Sequence, residues 1–142
     1  MKNLLISLGL VLASCASTTP GSVPIAPDGP VVRTIERVIE RVEGYIAQPP
    51  GELELNPEAV EQVEAAIVVA RTMLNQPEAS GAMLAVTMSG IMDLHDQLVL
   101  MSLQLGELPD GDLEAQIYLE DTARLRSLFE SVNIHASLVE AN

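Results

Sequence analysis

The residues of this chain that could do chemistry lie close together in its third apolar stretch. Met88, Met92 and His95 are spaced at i, i+4 and i+7, so they share one face of a helix. Two thioethers and an imidazole are ligands that suit Cu(I), which makes a small-ligand or copper carrier one hypothesis. Methionine also fills irregular gaps in a core, and a histidine in a long apolar helix is more often a satisfied buried group. We therefore expect no metal and no cofactor at these positions.

Two carboxylates flank the histidine, which would also suit acid–base chemistry or a hard metal ion. Asp93 and Asp96 are its near neighbours, and the second histidine, His135, lies far along the chain. Adjacent positions on a helix do not face each other, so the sequence predicts that the three do not converge within this helix alone. The chain has no G-x-S-x-G, no glycine-rich phosphate loop and no H-E-x-x-H. We expect no enzyme.

The charge of the chain is strongly acidic, with a formal net charge of −13. Phosphate binding needs a basic patch, so nucleic acid is not an expected partner. The concentrated positive feature is a row of three arginines four residues apart, Arg33, Arg37 and Arg41. This row predicts a contact with an acidic partner surface, or with the glutamates of the second helix.

Four amphipathic stretches must position these residues. Apolar side chains recur at spacings of three and four over about 31–48, 57–75, 77–105 and 112–139, which indicates four helices. Short loops between them predict an all-α, mostly antiparallel bundle over 31–142. The third stretch is apolar nearly all round, so we expect that helix to be central and covered by the others.

Individual helices carry further expectations. Asn56 before Pro57 is typical of an N-cap followed by the first helical position. The apolar stripe of the first helix predicts burial in cis, or pairing with a second copy or a partner, so a homo-oligomer stays open. On the fourth helix we expect the charged side chains to face water: Glu114, Glu120, Asp121, Arg124, Arg126 and Glu130.

The N-terminal stretch has the pattern of an export signal. Lys2 precedes an almost wholly aliphatic run that is too short for a bilayer span of about 20 residues. The residues Leu12-Ala13-Ser14-Cys15 resemble the lipobox of bacterial lipoproteins, and the resemblance covers only residues 1–15. It implies that residues 1–14 are a signal peptide and that Cys15 is lipidated, on its sulfur and on its new amine. Ala16, rather than an aspartate, implies the outer membrane, facing the periplasm.

The segment 15–30 separates this motif from the first helix. It is rich in serine, threonine and proline, with Pro20, Pro24, Pro27 and Pro30 at short intervals. Such a composition is typical of a flexible tether, about 22 Å long as a coil or about 46 Å as polyproline II. The resemblance predicts a membrane-anchored, exported lipoprotein that serves as a non-enzymatic interaction or scaffold subunit with a protein partner in the cell envelope. A phage-encoded envelope lipoprotein for infection exclusion or lysis is a further alternative.

Overall fold

The chain forms four α-helices. The computed structural model describes residues 29–76 and 80–141, with residues 132–141 as backbone alone. The helices are α1 (Pro30–Ala47), α2 (Pro57–Leu74), α3 (Gly81–Gln104) and α4 (Asp112–Ala141). A short 3₁₀ turn, Pro50–Glu52, joins α1 to α2, and the described ranges contain no strand. The predicted all-α class is confirmed, whereas the signal peptide, Cys15 and the side chain of His135 lie outside the described residues.

The helix starts follow local capping chemistry. Asn56 is the N-cap of α2 as predicted, and its Oδ1 accepts from the backbone N–H groups of Glu58 and Ala59 at 2.9 and 3.2 Å. Two starts differ from the predicted bounds. Pro30 is the first residue of α1 rather than the end of the tether, because proline suits the first helical position. The third helix begins at Gly81 rather than residue 77, because the Ser80 hydroxyl caps it by accepting from the N–H of Met83.

The helix directions can be read from the side-chain pairs that join them. Asp93 and Asp96 of α3 contact Arg126 and Thr122 of α4, so a lower residue number on α3 pairs with a higher one on α4. These two helices are therefore antiparallel. α3 contacts each of the other three helices, and α2 and α4 flank it with little contact to each other. The central position predicted for α3 is confirmed.

The apolar stripe of α1 packs in cis against α3 and α4. Four of its aliphatic side chains are completely buried, and they join the α2, α3 and α4 residues of one core cluster: Ile35, Val38, Ile39 and Val42. Full burial of one such side chain contributes about 1.5–3 kcal/mol relative to leaving it exposed. α1 therefore completes the bundle.

One side of α3 stays uncovered, contrary to the prediction. Met83 and Val86 are 64% and 76% exposed, although the opposite face of the same helix is buried. α1 covers one face of the layer formed by α2, α3 and α4. In the described part of the chain no further helix covers the other face. Among these residues no helix is both long enough and apolar enough to cross a membrane.

The connection between α1 and α2 is fixed to the far end of α3. Gly51 has a φ of +59°, which glycine adopts without strain. A Cβ at this position would lie 2.7 Å from a methyl carbon of Leu105. The Gly51 N–H donates to Oε2 of Glu107 at 2.8 Å. The left-handed conformation therefore favours glycine here, whereas the close approach is to the end of an exposed leucine side chain that can move aside.

Candidate functional site

The three residues singled out for metal chemistry all lie on the buried side of α3. Met88, Met92 and His95 are in the interior of the bundle. The histidine is only half satisfied, because its Nε2 is buried and has no hydrogen-bond partner within the described ranges. The expectation of a satisfied buried histidine is met by a protein group at Nδ1, whereas Nε2 has no protein partner among the described residues.

Asp96 is the centre of a polar cluster between α3 and α4. Its Oδ1 lies 2.9 Å from Nδ1 of His95 and accepts from the Thr122 hydroxyl at 2.7 Å. Its Oδ2 accepts from Nη1 of Arg126 at 2.6 Å, and Nη2 of the same guanidinium donates to Asp93 at 3.0 Å. We call these five residues the Asp96 cluster. The expectation that adjacent side chains point apart is thus wrong for His95 and Asp96, whereas Asp93 is linked to Asp96 through Arg126 of α4 and not within α3 alone.

The protonation states of this cluster follow from burial and pairing. Burial lowers the pKa of His95, and the charge of Arg41 lowers it further, against the opposing effect of Asp96. Burial would raise the pKa of Asp96, but hydrogen bonds from His95, Arg126 and Thr122 outweigh it and lower the pKa. A carboxylate can only accept, so the neutral imidazole donates its Nδ1–H to Asp96. The unprotonated Nε2 is then an acceptor for which the described residues supply no donor.

The same geometry bears on copper binding. The positive charge of Arg41 disfavours a proton on His95 and would act in the same direction on a cation bound at Nε2. The part of the chain that the structure describes contains no group of three or more His, Cys, Asp or Glu side chains able to hold a metal ion. The absence of a copper site stays a prediction, with a physical reason behind it.

The arginine row of α1 meets α4. Arg37 Nη2 lies 3.1 Å from Oδ1 of Asp121, and Nη2 of Arg41 binds Oδ2 of the same carboxylate. We call these three residues the Asp121 cluster. Burial would raise the pKa of Asp121, but the hydrogen bonds and charges of the two guanidiniums outweigh it and lower the pKa. Asp121 is 6% exposed, so its assignment to the water-facing side of α4 is corrected.

Arg33 lies one turn nearer the N-terminus on the same row and is exposed. Arg37 and Arg41 of this row bind Asp121 of α4 rather than the glutamates of α2. The α1–α2 contact has the opposite polarity, because Arg71 of α2 donates to both carboxylate oxygens of Glu43 on α1, at 2.7 and 2.9 Å. A contact of the arginine row with a partner stays a prediction.

An open groove of about 580 Å³ lies beside the Asp121 cluster. Its walls come from the second half of α1, the α3–α4 connection and the start of α4, and they include both tyrosines of the chain, Tyr45 and Tyr118. The Arg41 guanidinium carbon lies 4.1 Å from the centre of the Tyr118 ring, which is a cation–π contact. The Tyr118 hydroxyl donates to Glu114 at 2.6 Å, and this bond, with burial, raises the pKa of Tyr118 to about 12.

The sequence did not reveal this groove. Tyr45 and Tyr118 lie on different helices, and only the antiparallel packing of α1 on α4 brings them to one surface. The available signal was compositional, because the chain has two tyrosines, one phenylalanine and no tryptophan. In such a chain two tyrosines near helix ends are candidates for one shared surface.

Comparison of the chain with protein-family models, with curated proteins and with solved structures found no match. A proposal about its function therefore rests on its residues and their geometry.

Proposed function

We propose that this chain is a lipid-anchored helical subunit of the bacterial cell envelope that acts by binding another protein. The observation that carries the proposal is the order of parts along the chain. The lipobox-like Leu12-Ala13-Ser14-Cys15 is followed by a proline-rich stretch and then by a bundle that begins at Pro30. An anchor, a spacer and a compact domain in this order suit a module held at a membrane surface, with Ala16 favouring the outer membrane.

A non-enzymatic role is part of the proposal. The charged side chains of the interior are paired with one another across helices, in the Asp96 cluster and in the Asp121 cluster. Each pairing joins two helices, so a structural role accounts for both clusters without a reaction. This favours a binding module over a catalyst.

The partner contact proposed for Arg33, Arg37 and Arg41 must take account of Asp121. This carboxylate already binds two of the three guanidiniums, and the Arg41 side chain is only 17% exposed. An acidic partner at this row would therefore contact Arg33 and the exposed part of Arg37, and it would compete with Asp121 for the rest.

The lipid anchor is tested by expression of the full chain in a bacterium with two membranes. We expect the mature protein to begin at an acylated Cys15, as measured by mass spectrometry, and to fractionate with the outer membrane. Because Cys15 is the only cysteine, an S-linked lipid has one possible position. Cys15→Ser should leave the membrane fraction.

Ala16→Asp is the matched control, because it keeps the cysteine and should move the lipidated protein to the inner membrane. A Cys15→Ser protein that stays in membranes with an unmodified N-terminus would contradict the proposal.

A further inference from the structure

We propose that the groove beside the Asp121 cluster binds an arginine or lysine side chain from a basic segment of a partner protein. This inference rests on the proposed binding function and names the chemistry of the partner. The groove lies between α1 and α4 at the end of the bundle where α1 ends and α4 begins.

The net charge around the groove is negative, which favours a cationic ligand. Glu40, Glu107 and Glu114 line it, and so do Arg37 and Arg41, which share the buried Asp121. Three carboxylates and two guanidiniums therefore line the groove, one negative charge in excess, and the buried Asp121 behind the two arginines adds a second. Carboxylates that line a concave surface attract a cation more strongly than the same charges spread over a convex one.

The tyrosine rings that line the groove also favour a cationic ligand. A cation is attracted to the face of a tyrosine ring, and arginine uses this contact more often than lysine. The groove already holds one example, the Arg41 guanidinium at 4.1 Å from the Tyr118 ring centre. Tyr45 lines the same groove and is partly buried against the cluster of Val99, Leu108 and Ala115. A volume of about 580 Å³ is within the range of about 300–1,000 Å³ of ligand-binding clefts.

Gly44 keeps the groove open. It lies in the last turn of α1 and lines the groove, and a Cβ built on it would meet nothing within 4 Å. Glycine inside a helix is destabilising by about 0.5–1 kcal/mol relative to alanine. Because Gly44 lines the groove, a side chain here would narrow it, although Gly90 of α3 is a helical glycine in open space away from this groove.

Another protein must supply the cationic side chain, because nearly all the cationic side chains of this chain already have partners within it. Five of its six arginines form ion pairs within the chain: Arg37, Arg41, Arg71, Arg124 and Arg126. The sixth, Arg33, also has an interaction within the chain, and the single lysine, Lys2, belongs to the proposed signal peptide. A second copy of this acidic chain is therefore a poor source.

The test uses tyrosine fluorescence of the full chain in a neutral detergent. The chain has no tryptophan, so its emission comes from Tyr45 and Tyr118, and both line the groove. The probe is the acetylated tripeptide Gly-Arg-Gly amide, and its neutral counterpart carries citrulline in place of arginine. We expect a saturable change with the arginine peptide and about tenfold weaker binding of the citrulline peptide, because a charge-assisted contact is lost.

Two substitutions at exposed helical glycines give a matched pair. Gly44→Gln adds a side chain to the groove at a position where a Cβ meets nothing within 4 Å, and it should abolish the binding. Gly90→Gln makes the same change on α3, where a Cβ also meets nothing within 4 Å, and should leave binding unchanged. Circular dichroism should show both variants folded. Glu40→Gln, which removes one negative charge from the groove, should weaken binding without blocking access.

Equal binding of the arginine and citrulline peptides would overturn the proposal, and so would equal binding by the wild type and Gly44→Gln. Binding of tetramethylammonium without binding of the arginine peptide would also overturn it, in favour of a small ammonium ligand. These outcomes are separate from those of Cys15→Ser, because loss of the lipid anchor leaves the groove and its tyrosines unchanged.

Discussion

Replacing Asp121 by asparagine keeps the size of the side chain and removes the charge that joins α1 to α4. Asp121 accepts from Arg37 and Arg41, and it is buried. The Arg37 side chain is 50% exposed, so its share falls in the range of surface pairs, about 0–1 kcal/mol. The Arg41 side chain is 17% exposed, and a hydrogen bond between charged groups at such a site contributes about 1.5–3 kcal/mol. The two ranges together predict that Asp121→Asn lowers the free energy of unfolding by about 1.5–4 kcal/mol.

The assay is urea unfolding followed by circular dichroism, with a thermal melt beside it. A loss of this size should lower the midpoint without changing the slope m, and it should lower Tm by roughly 10 °C. Glu120→Gln is the matched control, because it changes the neighbouring residue and breaks only the exposed i, i+4 pair with Arg124. The control should cost less than about 0.5 kcal/mol.

A double-mutant cycle with Arg41→Gln isolates the contact itself. Removal of Asp121 leaves the Arg41 guanidinium without its carboxylate, whereas removal of Arg41 leaves Asp121 paired with Arg37 alone. Because the two changes disrupt the same contact, we expect a coupling energy of at least about 1 kcal/mol. If Asp121→Asn costs no more than Glu120→Gln, or if the cycle closes additively, the Asp121 cluster does not stabilise the fold and the reasoning is refuted.

Two further predictions concern His95. Its pKa is lowered by burial, and the pKa values of Asp96 and Asp121 are lowered by their partners despite burial. Because all three pKa values are lower in the folded chain, the unfolded chain binds more protons in acid than the folded chain does. The free energy of unfolding should therefore be at its full value above about pH 6.5 and decline below it as the histidine of the unfolded chain protonates. It should fall further below about pH 4, where the carboxylates of the unfolded chain protonate. The His95→Gln variant should lose the first decline and keep the second, and a flat profile between pH 7 and 5 for the wild type would contradict the buried neutral imidazole. In a Cu(I) titration we expect no tight stoichiometric binding, because the positive charge of Arg41 opposes a cation at His95. Tight binding that is lost in His95→Gln would instead establish a copper carrier.

The periodic signals of the sequence predicted the helices and their buried faces well. The stripe of α1 and the Asn56 cap depend on residues within one helix, and each was visible in a single stretch of sequence. Burial of Asp121 was not visible, because an amphipathic pattern assigns a charged residue to water unless a partner is known. The partner here is a pair of arginines on α1, and only the register between two distant helices brings them to the carboxylate.

The contact between His95 and Asp96 escaped prediction for a different reason. Their Cβ atoms point in different directions on α3, and the rule about neighbouring positions is correct for backbone geometry. The side chains meet because Thr122 and Arg126 of α4 hold the carboxylate at the interface, beside the imidazole. A prediction from one helix could not include donors supplied by another.

The two polar clusters fix the register between the helices, which the apolar core alone does not specify. The core is built almost entirely from aliphatic side chains and methionines, and such cores tolerate repacking with loss of uniqueness before loss of stability. A shift of α4 by one turn, about 5.4 Å, would separate the donors and acceptors of both clusters. Buried polar groups left unpaired cost about 1–3 kcal/mol each, so the polar contacts select this register. The same register places Tyr118 opposite Tyr45 in the groove. The surface proposed for partner binding therefore depends on the clusters that hold α1, α3 and α4 together.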